Sequence, residues 1–99
     1  MRGIRIDPER AEVRVLRRWA PLRGARVLEI GCGDGRLTRR YASLTRSVQG
    51  IDPDPDEIER ARRRLPGKLG GKVRFAVHRA EDLPYRRGTF DLVLLSWSL

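Results

Sequence analysis

The stretch Val27-Leu-Glu-Ile-Gly-Cys-Gly-Asp-Gly-Arg36 decides the fold. Residues 25–30 are apolar enough for a central strand. Three glycines follow within five residues, and then a helical pattern with Leu37, Tyr41 and Leu44 at i, i+4 and i+7. A strand that runs into glycines and then a helix is a ligand-binding turn in an open α/β sheet. Gly31 and Gly33 let the backbone bend and approach a ligand with no Cβ in the way. The helix start beyond them offers unpaired N–H groups. A dinucleotide-binding turn would read G-x-G-x-x-G, with its third glycine at position 36. Arginine stands there instead, and the third glycine is Gly35. Glu29 just ahead of the turn disfavours a pyrophosphate and suits a ligand that carries an ammonium group.

Outward from the turn, residues 48–52 form a second short strand that ends on Asp52, seventeen residues after Gly35. A carboxylate at that strand end can accept hydrogen bonds from both ribose hydroxyls of a nucleoside. Asp54-Pro55-Asp56-Glu57 starts a second helix, with an N-cap, proline at the first helical position and acids in the first turn. Ile58, Ala61 and Leu65 form its buried stripe, and Pro66-Gly67 ends it. Arg62, Arg63 and Arg64 at its end complement the helix dipole. Residues 72–77 alternate as a third strand, and residues 90–96 form a fourth, buried on both faces. Toward the N-terminus, Asp7 and Pro8 start an amphipathic helix that carries Val13, Leu16, Trp19 and Ala20 and stops at Pro21. Strands alternating with helices predict a Rossmann-like α/β domain: a parallel sheet with right-handed crossovers and helices on both faces.

Composition bounds the function. Ninety-nine residues allow one domain. The 39% hydrophobic content excludes a disordered chain despite 35% charge. One cysteine forms no internal disulfide, and no Cys/His cluster would hold a metal. No apolar run approaches the ~18 residues of a membrane span, so a soluble, cytoplasmic protein is expected. Cys32, between glycines, is a small filler rather than a nucleophile, and His78 is structural or solvent-facing. The net charge of +9 is carried by 20 arginines and two lysines, with +7 in residues 1–50 and +2 in residues 51–99. A basic half can signal nucleic acid. The arginines form no stripe, however, so solvated helix faces account for most of them.

Glu29-Ile-Gly-Cys-Gly-Asp-Gly35, then Asp52, then Ala80-Glu-Asp-Leu-Pro-Tyr85 and Gly88-Thr-Phe-Asp-Leu-Val-Leu-Leu-Ser-Trp-Ser-Leu99 together resemble the class I S-adenosylmethionine-dependent methyltransferases. The resemblance covers residues 22–99 and is nearest to the small-molecule type. It implies a sheet of order 3-2-1-4 and S-adenosyl-L-methionine as cofactor. Glu29 would face the methionine amino group, directly or through water. Gly31 and Gly33 would pass under the amino-acid portion, and Gly35 would complete the turn. Asp52 would hold the ribose hydroxyls, with Pro53 against the adenine and Ala80 and Glu81 at its edge. Ser96 would lie near the sulfonium. Arg79 stands where many relatives carry Asp or Asn, which leaves Glu81 as acceptor for the adenine amino group. Ser96-Trp-Ser-Leu99 replaces the Asp/Asn-Pro-Pro-aromatic sequence of enzymes that methylate adenine N6 or glutamine N5.

The resemblance further implies that residues 1–99 are a truncated cofactor-binding domain, with residues 1–21 as an N-terminal helix extension. The acceptor would be a small molecule, and this chain alone would have little or no turnover. No residue stands out as a catalytic base. The fourth strand, with Val93, Leu94 and Leu95, would be an exposed apolar edge open to self-association. Two other readings are a piece of a split enzyme completed in trans through that edge, and a non-enzymatic RNA-binding module on the same fold.

Overall fold

The computed structural model describes residues 3–5, 22–86 and 88–96. Five strands form one parallel sheet: β1 (Gly3–Arg5), β2 (Arg26–Ile30), β3 (Ser47–Asp52), β4 (Val73–Val77) and β5 (Leu92–Leu95), in the order β1-β5-β2-β3-β4. The four strands expected from the sequence therefore lie in the order 3-2-1-4. The register runs Val27↔Val48 and Ile30↔Ile51 on one side of β2, and Val27↔Leu92 and Ile30↔Leu95 on the other. All five strands consequently present their C-terminal ends along one rim, where an open α/β sheet binds its ligands.

The fifth strand corrects one expectation. Gly3, Ile4 and Arg5 pair with Val93, Leu94 and Leu95, so the edge expected to invite self-association is already paired by this chain's own backbone. The reason is general: unpaired ladder groups beside a buried strand are costly, and any nearby extended segment satisfies them. The amphipathic helix expected from Asp7 onward lies outside the described residues, as do Trp19 and Trp97.

Period-two alternation divides the core between the two faces of the sheet. Val27, Val48, Val73, Phe75, Leu92 and Leu94 meet the helices α1 (Arg36–Tyr41) and α2 (Pro55–Arg64), through Leu37 and Tyr41 and through Ile58 and Ala61. Leu28, Ile30, Ile51 and Val93 face the other way, against Ala76, Tyr85, Phe90 and Leu95. The start of α2 is as expected: Asp54 accepts from the Asp56 amide at 2.9 Å, and Pro55 follows at the first helical position. α1 is shorter than its sequence pattern. It ends at Tyr41, and the chain tightens into a single 3-10 turn, Ala42–Leu44. Three residues per turn rotate Leu44 off the buried stripe, and Leu44 is exposed. Thr38 is buried in its stead.

Candidate functional site

The turn between β2 and α1 takes a shape that L-residues avoid. Gly31, Gly33 and Gly35 have φ of 81°, 55° and 80°. Its amides turn inward. Gly31 and Cys32 both donate to the Ile51 carbonyl, at 2.8 and 3.0 Å, and Gly35 donates to the Cys32 carbonyl at 3.0 Å. Gly33 donates to Asp52 Oδ2 at 3.0 Å, and Arg36 donates to Asp34 Oδ1 at 3.1 Å. The amides of Gly31, Cys32, Gly33, Gly35 and Arg36 are thus taken up by the Ile51 and Cys32 carbonyls and by two carboxylates. Those five amides are not free for a pyrophosphate, which binds through unpaired donors of this kind. From outside, Arg39 donates to the Asp34 carbonyl at 2.7 Å, and the Arg64 guanidinium pairs with the Asp34 carboxylate.

The nine expected site residues fall into three groups. Gly31, Pro53, Ala80 and Glu81 line one cleft of about 440 Å³ together with Ile30, His78 and Arg79. The single turn Ala80–Asp82 forms its far side. A hollow of about 420 Å³ adjoins it and shares Pro53, His78 and Arg79. Asp52 and Gly33 stand beside this cleft, joined by the bond already described. Asp52 Oδ1 accepts from the Asp54 amide at 2.9 Å, so each carboxylate oxygen holds one backbone donor and keeps a lone pair for another. Tyr85 stacks edge-on against both His78 and Phe90, with ring centroids 6.3 and 5.1 Å apart.

Glu29 and Ser96 make the second group and are buried. The Ser96 amide donates to the Ile30 carbonyl at 2.8 Å, which fixes the end of β5 to the end of β2. Thr38 Oγ1 and Tyr41 OH both donate to Glu29 Oε1, each at 2.6 Å. Oε2 has no partner in hydrogen-bond geometry, although the Ser96 hydroxyl lies close enough to favour the ionised carboxyl. Burial pushes the Glu29 carboxyl above its ordinary range, and the three hydroxyls oppose that shift. Burial first, and then the Glu29 charge, drives Tyr41 upward. The Cys32 thiol rises for the same two reasons and stays protonated and inert, a buried filler.

Gly35 stands alone. A Cβ there would lie 3.0 Å from the Phe75 ring and 3.4 Å from Ala61, so its role is to seat the turn on α2 and β4. Sequence reasoning missed Gly50 as a second seat. A Cβ at Gly50 would meet Phe75 at 2.7 and 2.9 Å and Cys32 Sγ at 3.1 Å. It also missed Thr38 as a site residue, and it read Tyr41 as apolar stripe only. Helical periodicity placed Tyr41 inward, but nothing in the spacing showed that its hydroxyl would meet Glu29.

The arginines of α1, α2 and β2 are largely engaged. Arg26 pairs with Asp91, Arg60 with Glu57, Arg63 with Glu59 and Arg64 with Asp34. Arg62 donates to the Phe75 carbonyl at 2.8 Å. This distribution fits structural use of the positive charge. Among the described residues no cluster of His, Cys, Asp or Glu could hold a metal ion, and no helix is long and apolar enough to cross a membrane.

A family profile described as a methyltransferase domain matches residues 27–99. The chain belongs to that family, whose class is the S-adenosylmethionine-dependent, Rossmann-like one. Over 74 residues it is 42% identical to the ubiquinone biosynthesis O-methyltransferase of Methylocella silvestris, covering 75% of this chain and 28% of that protein. Over 78 residues it is 40% identical to the magnesium-protoporphyrin O-methyltransferase of Rhodobacter capsulatus, covering 79% and 34%. Among solved structures, the phosphoethanolamine N-methyltransferase 1 of Haemonchus contortus, in complex with phosphoethanolamine and S-adenosylhomocysteine, superposes with a TM-score of 0.75 at 26% identity. That match covers 88% of this chain and 18% of the other. The chain spans about a third or less of the length of these relatives.

Proposed function

We propose that this chain binds S-adenosyl-L-methionine and forms the methyl-donor site of a methyltransferase whose acceptor is a small molecule. The observation that carries this is the clasp of Gly33 on Asp52 beside a cleft lined by Gly31, Pro53, Ala80 and Glu81. Asp52 keeps lone pairs for the ribose hydroxyls, and Pro53 and Ala80 offer apolar surface to the adenine. Glu81 is the acceptor at the adenine edge. Glu29, with an unpartnered buried oxygen, suits the ammonium group. Ser96, at the end of β5, stands at the sulfonium end. The inward-turned amides of the glycine turn support a nucleoside without phosphates.

Transfer of a methyl group from a sulfonium is an in-line displacement that leaves a neutral thioether, so holding donor and acceptor in line is the protein's main contribution. The described residues supply the donor's half of that positioning and no evident base. Slight turnover by this chain alone is part of the proposal. The small-molecule acceptor is supported by the two O-methyltransferase relatives.

Isothermal titration of the full chain with S-adenosylhomocysteine tests the proposal. Saturable one-to-one binding that Asp52→Ala removes is expected. Folded protein that takes up no ligand at millimolar concentration overturns it.

A further inference from the structure

Two donors on one oxygen of a buried carboxylate, and none on the other, is an odd way to satisfy it. Glu29 projects from β2 and is fully buried. Thr38 and Tyr41, one turn apart on α1, both reach Oε1 at 2.6 Å. If these hydroxyls served only to make burial of the carboxylate tolerable, one on each oxygen would do better. A buried charged acceptor without a donor costs more than a second bond to its neighbour returns. An apolar residue at 29 would pack the same space with no such cost. Oε2 is left without a donor in hydrogen-bond geometry. Glu29 does not itself line the cleft but stands two residues before Gly31, which does, and the Ser96 hydroxyl at the end of β5 lies near its carboxylate.

We propose that Thr38 and Tyr41 are positioning residues for the amino group of the methyl donor, acting through Glu29. By occupying Oε1 and fixing the carboxylate plane, they reserve Oε2 for the ligand's ammonium group or for a water that the ammonium holds. This rests on the donor-binding function proposed above. Neither residue touches the ligand, and neither belongs to the glycine motif. Their effect is confined to the amino-acid end of the donor, while Asp52, Pro53 and Ala80 act at the nucleoside end.

That confinement makes the proposal testable with two ligands. S-Adenosylhomocysteine carries the amino-acid portion, whereas 5′-methylthioadenosine has the same nucleoside and thioether without it. In titrations of the full chain, Tyr41→Phe is expected to weaken S-adenosylhomocysteine about tenfold, the scale of one charge-assisted hydrogen bond. The affinity for 5′-methylthioadenosine should stay unchanged. Thr38→Val should behave in the same way, and Thr38→Ser, which keeps the hydroxyl, should restore binding. Equal losses on both ligands would reveal a purely structural role, and no loss on either would remove the role; each overturns the proposal. Should Tyr41→Phe fail to fold, the Thr38→Val and Thr38→Ser pair decides alone. Wild-type protein that binds neither ligand is a different failure, that of the donor-binding function itself.

Discussion

The Gly33 amide donates to the Asp52 carboxylate at 3.0 Å, which fastens the glycine turn after β2 to the last residue of β3. The bond gives Asp52 two tasks. It holds a loop of three positive-φ glycines in one conformation, and it stays available, half-exposed at the rim, as a hydrogen-bond acceptor. A carboxylate locked in place by backbone donors at 2.9 and 3.0 Å loses little freedom when a ligand arrives, and such preorganisation lowers the cost of binding.

Substitution at Asp52 should therefore separate these tasks. Asp52→Asn keeps the shape and one carbonyl acceptor. It is expected to weaken S-adenosylhomocysteine by roughly tenfold to a hundredfold, the scale of lost hydrogen bonds to a charged group. Its thermal midpoint should fall slightly, because the Asn amide nitrogen replaces one of the two oxygens that accept a backbone N–H. Asp52→Ala should abolish detectable binding and lower stability by about 1 kcal/mol, as the turn loses its anchor. Calorimetric titration and thermal unfolding on the same samples provide both readings.

Gly50 offers a test of packing with no ligand involved. An added Cβ would stand 2.7 Å from the Phe75 ring, inside any tolerable contact, and both residues are buried in facing register between β3 and β4. Gly50→Ala should cost about 1–3 kcal/mol through overpacking. Pairing it with Phe75→Leu should recover part of that loss by clearing the ring edge. Gly67→Ala is the control: nothing lies within 4 Å of its added Cβ, and stability should hold or rise slightly. Urea denaturation of the four proteins measures all of this.

The parts of this fold that follow from local rules were readable in the residues. Proline and aspartate at the start of α2, alternation in β4 and the glycines after β2 each act through the backbone within a few positions. The four-strand order came from the family resemblance alone. What escaped depends on contacts between distant segments. Gly3, Ile4 and Arg5 are too few to show a period, and they form a strand only because β5 stands ready to pair with them. Gly50 carries no motif, and its need for glycine is imposed by a ring 25 residues away in β4. Tyr41 was legible as buried, whereas its hydroxyl's partner across the β2–α1 connection was not. The spacing of the glycines and of Asp52 was legible along the chain, whereas the hydroxyls of Thr38 and Tyr41 that meet Glu29 were not.

Asp91 links stability to pH. Its carboxylate receives the Arg26 amide at 2.9 Å and the Arg26 guanidinium at 3.1 and 3.0 Å, joining the start of β2 to the residue before β5. Those hydrogen bonds hold the carboxyl down to about 2. A carboxyl depressed in the folded state stabilises the protein above its unfolded pKa near 4 and loses that contribution as pH falls toward 2. The gap in stability between wild type and Asp91→Asn should be constant from pH 7 to about pH 4.5 and then close toward pH 2. Because the pair is exposed, the gap should also shrink in high salt. A gap that does not vary with pH would mean that the strands are held together by something other than this pair.

Glu29 predicts the opposite sign. Its carboxyl is raised by burial, so the folded chain holds a proton that the unfolded chain releases. Stability contributed by the neutral form is complete below the unfolded pKa near 4.5, and it declines as pH rises toward the folded value. The neighbours do not confuse the measurement, because Tyr41 and Cys32 are both raised and stay protonated across this range. Glu29→Gln keeps an acceptor for Thr38 and Tyr41, removes the buried charge and gives the Oε2 position a donor toward Ser96. The variant should match wild type at pH 4 and exceed it at pH 8 by on the order of 1–3 kcal/mol, the cost of a buried charged acceptor left short of donors. It should at the same time bind S-adenosylhomocysteine more weakly while keeping 5′-methylthioadenosine. Stability gained and affinity lost in the same variant is the outcome expected of a carboxylate kept for a ligand. Glu29→Gln that is both less stable and unaltered in binding would show instead that the carboxylate serves the core.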